Sequence, residues 1–433
     1  MSLPSLYCQS CATQRTTKLK RRGNDPTELK PRQGGYDPDQ NATARPSAAK
    51  QAALGKSAKS GVLCAVLALA CSMLVSPTEA SAAPFGFGPF APGSVVVAQG
   101  GTISGNGTGT AGTVSADGYV NVYPPDANGD VAPKASFTQG MYGPFVVVFD
   151  PSGDMWAANV DNTSDSTIVE ITRAELGTPN PVPAVTITGV GDALEYPYGM
   201  AFDSWGNLWV VSSFVGVVYE YASWQLAHSG SPTPVRTISD LPATPNGDGF
   251  DPWGDLWVST GVSTQCPQGC VVEFSKYELA SLHPKPTVII SSTGGANLSF
   301  TRSGDMWLVT GGGPASDCVY GDPCNNELVE FTRAQLSASG SPAPMVTISS
   351  DIPGCSTYGA PAVPCANGSL YGPYGVAVDS AGDVWVSNFN TPTAVEYGRD
   401  QLPESGSASP VPERTIAGPD TGMDWPSFVT VAP

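Results

Sequence analysis

The sequence predicts an all-β fold, a six-bladed β-propeller closed by its two terminal segments, from three observations. A unit of about 50 residues recurs along residues 94–433. Each unit contains four short β-rich runs separated by turn residues, and no run carries a long helical period. The final segment matches only the first strand of a unit. Four strands per unit is the pattern of a propeller blade.

Two sequence blocks define the unit. The first, Asp-x-x-Gly-(Asn/Asp)-x-Trp, predicts a tight turn between the first two strands, because Asp bonds its own backbone and Gly accepts positive φ. Thr301 replaces the Asp in one unit. The Trp should fill the space between neighbouring blades, since an isolated four-stranded sheet cannot bury both faces. The tryptophans are Trp156, Trp209, Trp257, Trp307 and Trp385, and the second block carries Glu170, Glu220, Glu273, Glu330 and Glu396.

The number of blades depends on the two ends of the repeat region. Five units are complete, and Pro426–Val431 supplies a first strand without the rest. The missing strands match Val95–Val97, Tyr119–Tyr123 and Lys134–Phe137. We therefore expect these segments to join as a sixth blade, which closes the ring and removes open sheet edges.

The N-terminal region has a different composition. Residues 1–59 are polar and basic without apolar periodicity, which predicts a disordered extension. Residues 60–82 combine an apolar run with small residues before Ala83, which predicts a signal peptide or membrane anchor. The apolar run is too short to favour a membrane span. We expect a secreted or cell-surface protein, with anchoring by an uncleaved segment as the alternative.

Charge excludes several classes of partner. Residues 1–82 carry 11 basic and 5 acidic side chains (+6), which leaves 9 and 33 (−24) for the rest of the chain. So few cations cannot neutralise a run of phosphates, which argues against nucleic acid and against an anionic membrane surface as partners of the repeats. We expect a monomer whose partner is a small ligand or an extracellular protein.

Six cysteines follow residue 82 as close neighbours, namely Cys266 with Cys270, Cys318 with Cys324, and Cys355 with Cys365. Export would permit local disulfides, and the even count agrees with them. Metal ligation by thiolates is the alternative, but it requires pairs from different repeats to converge.

One charged residue breaks the apolar pattern of the innermost strand. Asp248 stands where the other repeats carry Val, Met or Leu. Such a carboxyl should reach water, meet a cation or be protonated. Asn246 lies on the same strand and Asn297 on the next blade. Their oxygens suit Ca²⁺ or another hard divalent cation, and a solvated channel without a cofactor is the alternative.

A second group of candidates is aromatic. Phe145, Tyr198 and Tyr374 enter the innermost strands at matching positions, which predicts a ring-lined mouth of the central channel. Such rings suit a sugar, a peptide or a lipid-like headgroup, or they wedge between blades as structural residues. Asn159 and Asn388, at matching ends of the second strand, are further candidates for ligand contacts on this loop-rich face.

Other side chains favour structure over catalysis. His228 and His283 fall in the rim loop between the third and fourth strands, where a catalytic base is not expected. The second-block Glu stands three residues before a cation in four units, at Arg173, Lys276, Arg333 and Arg399. Exposed ion pairs of this kind contribute little to stability, so they indicate solubility.

The repeat resembles the NHL repeat and the wider group of six-bladed TolB-like propellers that includes the SMP-30/gluconolactonase proteins. The resemblance implies a fold that hosts lactonases, lyases and binding scaffolds alike. Pro245-Asn246-Gly247 is similar to a Pro-Asn-Gly that supplies one metal ligand in the gluconolactonases. The chain departs from that group at Gly295-Ala296-Asn297, where a Pro-Asp-Gly ligand is expected, and it lacks a matching first-blade Glu.

Two functions follow from these features. The first is an exported binding module that takes a ligand or protein on its loop-rich channel face and has no catalytic residues. The second is a divalent-metal-dependent hydrolase of the lactonase type. The rim positions of the histidines disfavour lyases that resemble virginiamycin B lyase, because those enzymes rely on axial histidines. The incomplete set of metal ligands favours binding over hydrolysis.

Overall fold

The computed structural model describes residues 90–100, 103–104, 113–114, 118–160, 166–189, 194–310, 327–349, 370–389 and 391–433. All of them belong to one compact unit that spans Ala82–Pro433. The predicted extension, 1–59, and the predicted signal segment, 60–82, lie outside the described residues.

Six β-sheets follow one another, and we number them as blades 1 to 6. From the inner to the outer strand, blade 1 contains Pro426–Val431, Val95–Gln99, Tyr119–Tyr123 and Ala135–Phe137; blade 2 contains Pro144–Phe149, Met155–Asn159, Thr167–Ile171 and Val185–Thr188; blade 3 contains Pro197–Phe202, Leu208–Ser212, Val217–Tyr221 and Arg236–Ile238. Blade 4 contains Pro245–Phe250, Leu256–Thr260, Cys270–Phe274 and Val288–Ile290; blade 5 contains Leu298–Phe300, Met306–Val309, Glu327–Phe331, Val346–Ser349 and an added strand, Gly406–Ala408; blade 6 contains Pro373–Val378, Val384–Asn388, Thr393–Tyr397 and Arg414–Ile416.

Little regular structure lies outside the blades in the described residues. A two-stranded sheet pairs Ile103–Ser104 with Thr113–Val114. The helical segments are an α-helix at Lys276–Leu279 and 3₁₀ turns at Ser223–Gln225, Gln335–Ser337, Arg399–Gln401 and Pro419–Thr421. None of the described helices is long and apolar enough to cross a bilayer.

The two ends of the propeller meet in blade 1, as predicted. The last strand pairs antiparallel with the first, with Val95 opposite Val431 and Val97 opposite Val429. The inner strands contact each other in sequence from blade 1 to blade 6 and back to blade 1, so the ring is closed. The all-β, six-bladed prediction is confirmed.

The Asp-x-x-Gly turn has the predicted geometry. In blade 3, Asp203 Oδ1 accepts hydrogen bonds from the backbone N–H groups of Trp205 and Asn207, at 2.9 Å each. Gly206 has φ = +79°, a region that residues with a Cβ atom rarely adopt. In blade 5, the Thr301 hydroxyl accepts from Asp305 N at 3.0 Å and replaces the carboxylate.

Packing between blades depends on the second-strand tryptophans. All five are buried, at no more than 3% exposure. Three of them contact a phenylalanine on the inner strand of the following blade, at centroid separations of 5.8 to 6.3 Å; the pairs are Trp156 with Phe202, Trp209 with Phe250, and Trp257 with Phe300. Each sheet therefore buries its second face against its neighbour, as expected.

A contact that the sequence did not predict links the outer strands. The loop between the third and fourth strands of one blade reaches back to the outer strand of the preceding blade. Thr188 N donates to Gly230 O, and Ser291 N donates to Gly340 O, both at 2.9 Å. In blade 6 this loop forms the strand Gly406–Ala408, which pairs in parallel with Val346–Ile348 of blade 5.

The disulfide between Cys266 and Cys270 is formed, with a Cα separation of 5.5 Å. It closes the loop before the third strand of blade 4, as predicted for a local bond. The pairs Cys318 with Cys324 and Cys355 with Cys365 lie outside the described residues.

The register of blade 1 can be tested with an engineered disulfide. Ala432 N donates to Ser94 O, so alternation makes Val97 and Val429 a non-hydrogen-bonded pair, the closer kind in an antiparallel ladder. We expect Val97→Cys with Val429→Cys to form a disulfide under oxidising conditions and to raise the Tm relative to the reduced protein. Mass spectrometry of proteolytic fragments identifies the bond.

The matched control is Val97→Cys with Thr430→Cys. Shifting one partner by one residue turns its side chain to the other face of the sheet. Equal disulfide formation in both double variants would contradict this register.

Candidate functional site

The inner strands of five blades share an irregularity at one end of the channel. The register with the second strand shifts by one residue just after the strand begins, as in a β-bulge. A bulge redirects the side chain at which it occurs. The residues at the shift are Phe145, Tyr198, Asn246, Tyr374 and Ser427. Four of them were candidates from the sequence: Phe145, Tyr198 and Tyr374 for binding an organic ligand, and Asn246 for binding a metal.

Three of these side chains meet at the start of the inner strands. The rings of Phe145 and Tyr198 stack, with centroids 4.6 Å apart and planes at 26°. Tyr374 meets Phe145 edge to face at 4.9 Å. All three rings are partly exposed. The predicted ring-lined mouth therefore brings together residues of blades 2, 3 and 6.

The aromatic contacts continue on both sides of these three rings. Tyr196 contacts Tyr198 at 5.8 Å and stacks on Phe214 at 5.9 Å. On the other side, Phe389 contacts Tyr374 at 6.2 Å and Trp425 at 5.3 Å. Phe214, at the end of the row, is 67% exposed. We call these seven connected rings the aromatic floor; they are Tyr196, Tyr198, Phe145, Tyr374, Phe389, Trp425 and Phe214.

The backbone at Tyr196 is in the left-handed region, with φ = +52°. A bulky side chain rarely adopts this conformation, which costs on the order of 1–3 kcal/mol and is concentrated at functional sites. This conformation places the Tyr196 ring between Phe214 and Tyr198. The fold thus maintains an unfavourable backbone geometry where it completes the floor.

Tyr198 and Tyr374 stay protonated at physiological pH. Burial raises the pKa of Tyr198 to about 12, and the nearby Tyr196 adds to the effect. Burial also raises the pKa of Tyr374 well above its ordinary value. The hydroxyls therefore remain neutral groups that can both donate and accept hydrogen bonds.

Asn159 and Asn388 use their amides within their own loops. Asn159 Nδ2 donates to Gly140 O at 2.8 Å, and Asn159 Oδ1 accepts from Tyr142 N at 3.3 Å. Asn388 Oδ1 accepts from Tyr371 N at 3.0 Å. Both side chains are fully buried. These hydrogen bonds hold the segment that precedes each inner strand, next to the rings at the mouth of the channel.

Asp248 is buried without a hydrogen-bond partner for either carboxylate oxygen. A Cβ atom at Gly199 would lie 2.6 Å from Asp248 Oδ1, so this glycine of blade 3 makes room for the carboxyl. Burial raises the pKa of Asp248 well above its ordinary value. Burial thus favours the protonated form of this carboxyl, one of the three outcomes predicted for it.

The three predicted metal ligands have different surroundings. Asn297 Oδ1 is buried without a partner, and its amide nitrogen lies 3.2 Å from the position of a Cβ on Gly247. Asn246 Nδ2 donates to Gly295 O at 3.2 Å. Asp248 faces blade 3 instead, and no group of three potential His, Cys or carboxylate ligands in the described residues includes it. Calcium binding by these three residues therefore stays a prediction.

A cavity of about 620 Å³ occupies the channel at the opposite end from the floor. Apolar side chains line much of it, including Met200, Val376 and Phe428, and Asp248 and Asn297 border it. Its wall is formed by the ends of the inner strands, where each turns into the second strand. The channel thus has an aromatic end and an end with two unpaired polar groups.

The remaining candidates are two histidines and two groups of carboxylates. His228 and His283 are exposed between the third and fourth strands, as predicted. Carboxylates come together at the strand turns of two blades, as Asp150, Asp154 and Glu170, and as Asp379, Asp383 and Glu396. These clusters were not predicted from the sequence, although each combines the turn Asp with the third-strand Glu of the repeat.

The pH dependence of stability tests the state of Asp248. Because the folded protein holds this proton to higher pH than the unfolded chain, the free energy of unfolding should fall as pH rises above about 4, by at most about 1.4 kcal/mol per pH unit. We expect Asp248→Asn to remove this loss and to be more stable than the original at pH 8, with similar stability near pH 4. Urea unfolding at pH 4, 6 and 8 measures the effect.

Asp400→Asn provides the control, because Asp400 is an exposed carboxylate. If the free energy of unfolding changes by the same amount with pH in the original protein and in Asp248→Asn, Asp248 titrates normally.

No family model matches this chain, and no curated protein matches it. Similar solved structures include virginiamycin B lyase from Staphylococcus aureus, with 13% identity, a TM-score of 0.38 and coverage of 67% of this chain and 80% of that chain. A streptogramin B lyase has 13% identity, a TM-score of 0.35 and coverage of 65% and 70%. A luciferin-regenerating enzyme has 13% identity, a TM-score of 0.34 and coverage of 53% and 70%. At this similarity the neighbours say nothing about the activity of this chain, and the NHL-like and SMP-30-like assignment stays a prediction.

Proposed function

We propose that this propeller is an exported binding module that takes a neutral ligand with a flat apolar face, such as a saccharide chain, on the aromatic floor. The observation that carries the proposal is the floor itself, seven connected rings at the start of the inner strands. Bulges direct three of these rings to the mouth, and a strained Tyr196 extends the row to exposed Phe214. Exposed connected rings are typical of binding surfaces.

The chemistry of the floor favours a neutral ligand. Its members are phenylalanine, tyrosine and tryptophan, and the hydroxyls of Tyr198 and Tyr374 stay neutral because burial raises their pKa values. A saccharide presents C–H faces that pack on rings and hydroxyls that bond polar tips. The module needs no catalytic group.

Export is part of the proposal. The basic, apolar and small-residue order of residues 60–82 supports it. The short-range disulfide at Cys266 and Cys270 also supports it, because such bonds persist in oxidising compartments.

Binding to neutral oligosaccharides tests the proposal. We expect at least one of cellohexaose, maltohexaose and chitohexaose to bind the full chain in isothermal titration calorimetry. Phe214→Ala and Tyr196→Gly should each weaken that binding at least fivefold, because each removes one ring of the floor. Tyr196→Gly also relieves the positive φ, so its Tm should not fall.

The matched control is Tyr277→Ala, which removes a ring that is 79% exposed at the opposite ends of the strands. It should leave binding within twofold of the original. If none of the three saccharides binds, or if the floor variants bind as well as the control, the proposed function is wrong.

A metal-dependent hydrolase is the alternative, and calcium discriminates between the two. Because no group of three close His, Cys or carboxylate ligands in the described residues includes Asp248, we expect no change in Tm when CaCl₂ is added to the full chain. A rise in Tm that requires calcium and disappears in Asp248→Ala would favour the hydrolase. Asp400→Ala serves as the control for nonspecific effects of calcium on an acidic protein.

A further inference from the structure

Blades 2 to 6 repeat one arrangement on the face opposite the floor. The third-strand Glu stands directly across from the second-strand Trp, as Glu330 does from Trp307. On the other side of the Glu stands a residue of the fourth strand. This residue is arginine in blades 3 and 6 and valine in blades 2, 4 and 5; the five residues are Arg236, Arg414, Val185, Val288 and Val346.

Blade 6 shows how the arginine is held. Arg414 donates from Nε and Nη2 to the two carboxylate oxygens of Glu396, and from Nη1 to Pro125 O of blade 1. Its guanidinium carbon lies 5.2 Å from the centroid of the Trp385 ring. In blade 3, Arg236 Nη1 lies 2.5 Å from Glu220 Oε2. In blade 6 the fold therefore places a guanidinium between two blades, paired with Glu396 and beside Trp385.

Blade 5 has the Glu and the Trp but no arginine. Val346 faces Glu330, and within the described residues no cation lies within ion-pair distance of this carboxylate. The cation that the sequence places three residues later, Arg333, lies instead over the Trp253 ring of blade 4 at 3.7 Å. Glu330 is half-buried and lacks the partner that Glu220 and Glu396 have.

A cavity of about 500 Å³ lies at this place, between blades 5 and 6. Glu330, Trp307 and Asp305 line it from blade 5, and Met345 and Leu402 add apolar surface. Its other charged lining residues are Arg302, Asp379, Arg399 and Glu404. With four carboxylates and two arginines, the lining carries a net negative charge.

We propose that this cavity binds the guanidinium group of an arginine side chain supplied by a ligand, which takes the place that Arg414 occupies between blades 6 and 1. Glu330 accepts two hydrogen bonds, Trp307 borders the planar group, and Met345 and Leu402 pack against the methylene stem. The site is distinct from the aromatic floor and stands whether or not the floor binds a saccharide.

The donor geometry favours arginine over lysine. A guanidinium presents parallel N–H groups that match both carboxylate oxygens, and its flat face stacks on an aromatic ring. The ammonium of lysine is a compact, more strongly hydrated charge. It cannot pair two parallel N–H groups with the carboxylate or stack a flat face on the ring. Arg414 and Arg236 in the equivalent places of blades 6 and 3 show the same preference.

Titration calorimetry of the full chain with N-acetyl-arginine methylamide tests the site. We expect binding at least tenfold tighter than that of N-acetyl-lysine methylamide, and at least a tenfold loss in Glu330→Gln. No binding of the arginine probe, equal binding of the lysine probe, or unchanged binding in Glu330→Gln would each overturn the proposal.

A second variant fills the site from within. Val346→Arg recreates the pairing of blades 3 and 6, so it should abolish binding of the probe. The matched control is Val185→Arg, the same change at the equivalent place of blade 2, which should bind within twofold of the original. Should Val346→Arg not fold, Glu330→Gln still decides the question; loss of binding in Val185→Arg would place the site elsewhere.

The pH profile gives an independent readout. Burial, with a smaller effect of Asp305, raises the pKa of Glu330 to about 7. Since the guanidinium pairs with the ionised carboxylate, affinity for the arginine probe should fall as the pH drops from 8 to 6. Three other carboxylates also face the cavity and could cause a pH dependence, namely Asp305, Asp379 and Glu404. If Glu330 is responsible, Glu330→Gln removes the pH dependence of affinity. A pH dependence that persists in this variant would contradict the assignment to Glu330.

Free L-arginine and the peptide acetyl-Gly-Arg-Gly-amide distinguish the source of the guanidinium. Tighter binding of the peptide by threefold or more identifies a protein or peptide partner. Equal or tighter binding of free arginine identifies the amino acid. Either result supports the site, and failure of both probes overturns it.

Discussion

Every feature of this molecule depends on burying the second face of each four-stranded sheet. A single blade exposes one face, and the second-strand tryptophans cover it by contacting the inner strand of the next blade. This contact repeats from blade to blade and fixes the distance between adjacent inner strands. The channel, the floor and the cavity between blades 5 and 6 are spaces that this packing leaves, so their positions follow from the repeat.

Functional candidates stand at positions where the repeats differ from one another. Asp248 replaces an apolar residue on the inner strand, and Gly199 of blade 3 accommodates it. Val346, like Val185 and Val288, stands where blades 3 and 6 carry the arginine that pairs with the third-strand Glu. In each case the strands pair as in the other blades, and only the side chain at that position differs in charge or length. Comparing equivalent positions in the blades therefore shows which side chain or partner a given blade lacks.

Much of the fold could be predicted because its signals are local. The Asp-x-x-Gly turn and the alternation of apolar residues depend on neighbours in the sequence, and the period then places Pro426–Val431 beside Val95–Gln99. Side-chain directions could not be predicted in the same way. Tyr198 lies at a one-residue bulge and faces the mouth. Arg333 lies over the ring of Trp253 and not beside Glu330. Both positions depend on contacts between residues of different blades, which the local sequence does not show.

The pairing of residues 426–431 with residues 95–99 also governs the order in which the molecule can be completed. A ribosome delivers the inner strand of blade 1 after the five complete repeats, so blade 1 keeps an unpaired strand edge throughout synthesis of those repeats. A premature stop codon upstream of Pro426 would make that edge permanent and leave it open to pairing with other chains. Translation through Val431 is therefore required to complete blade 1.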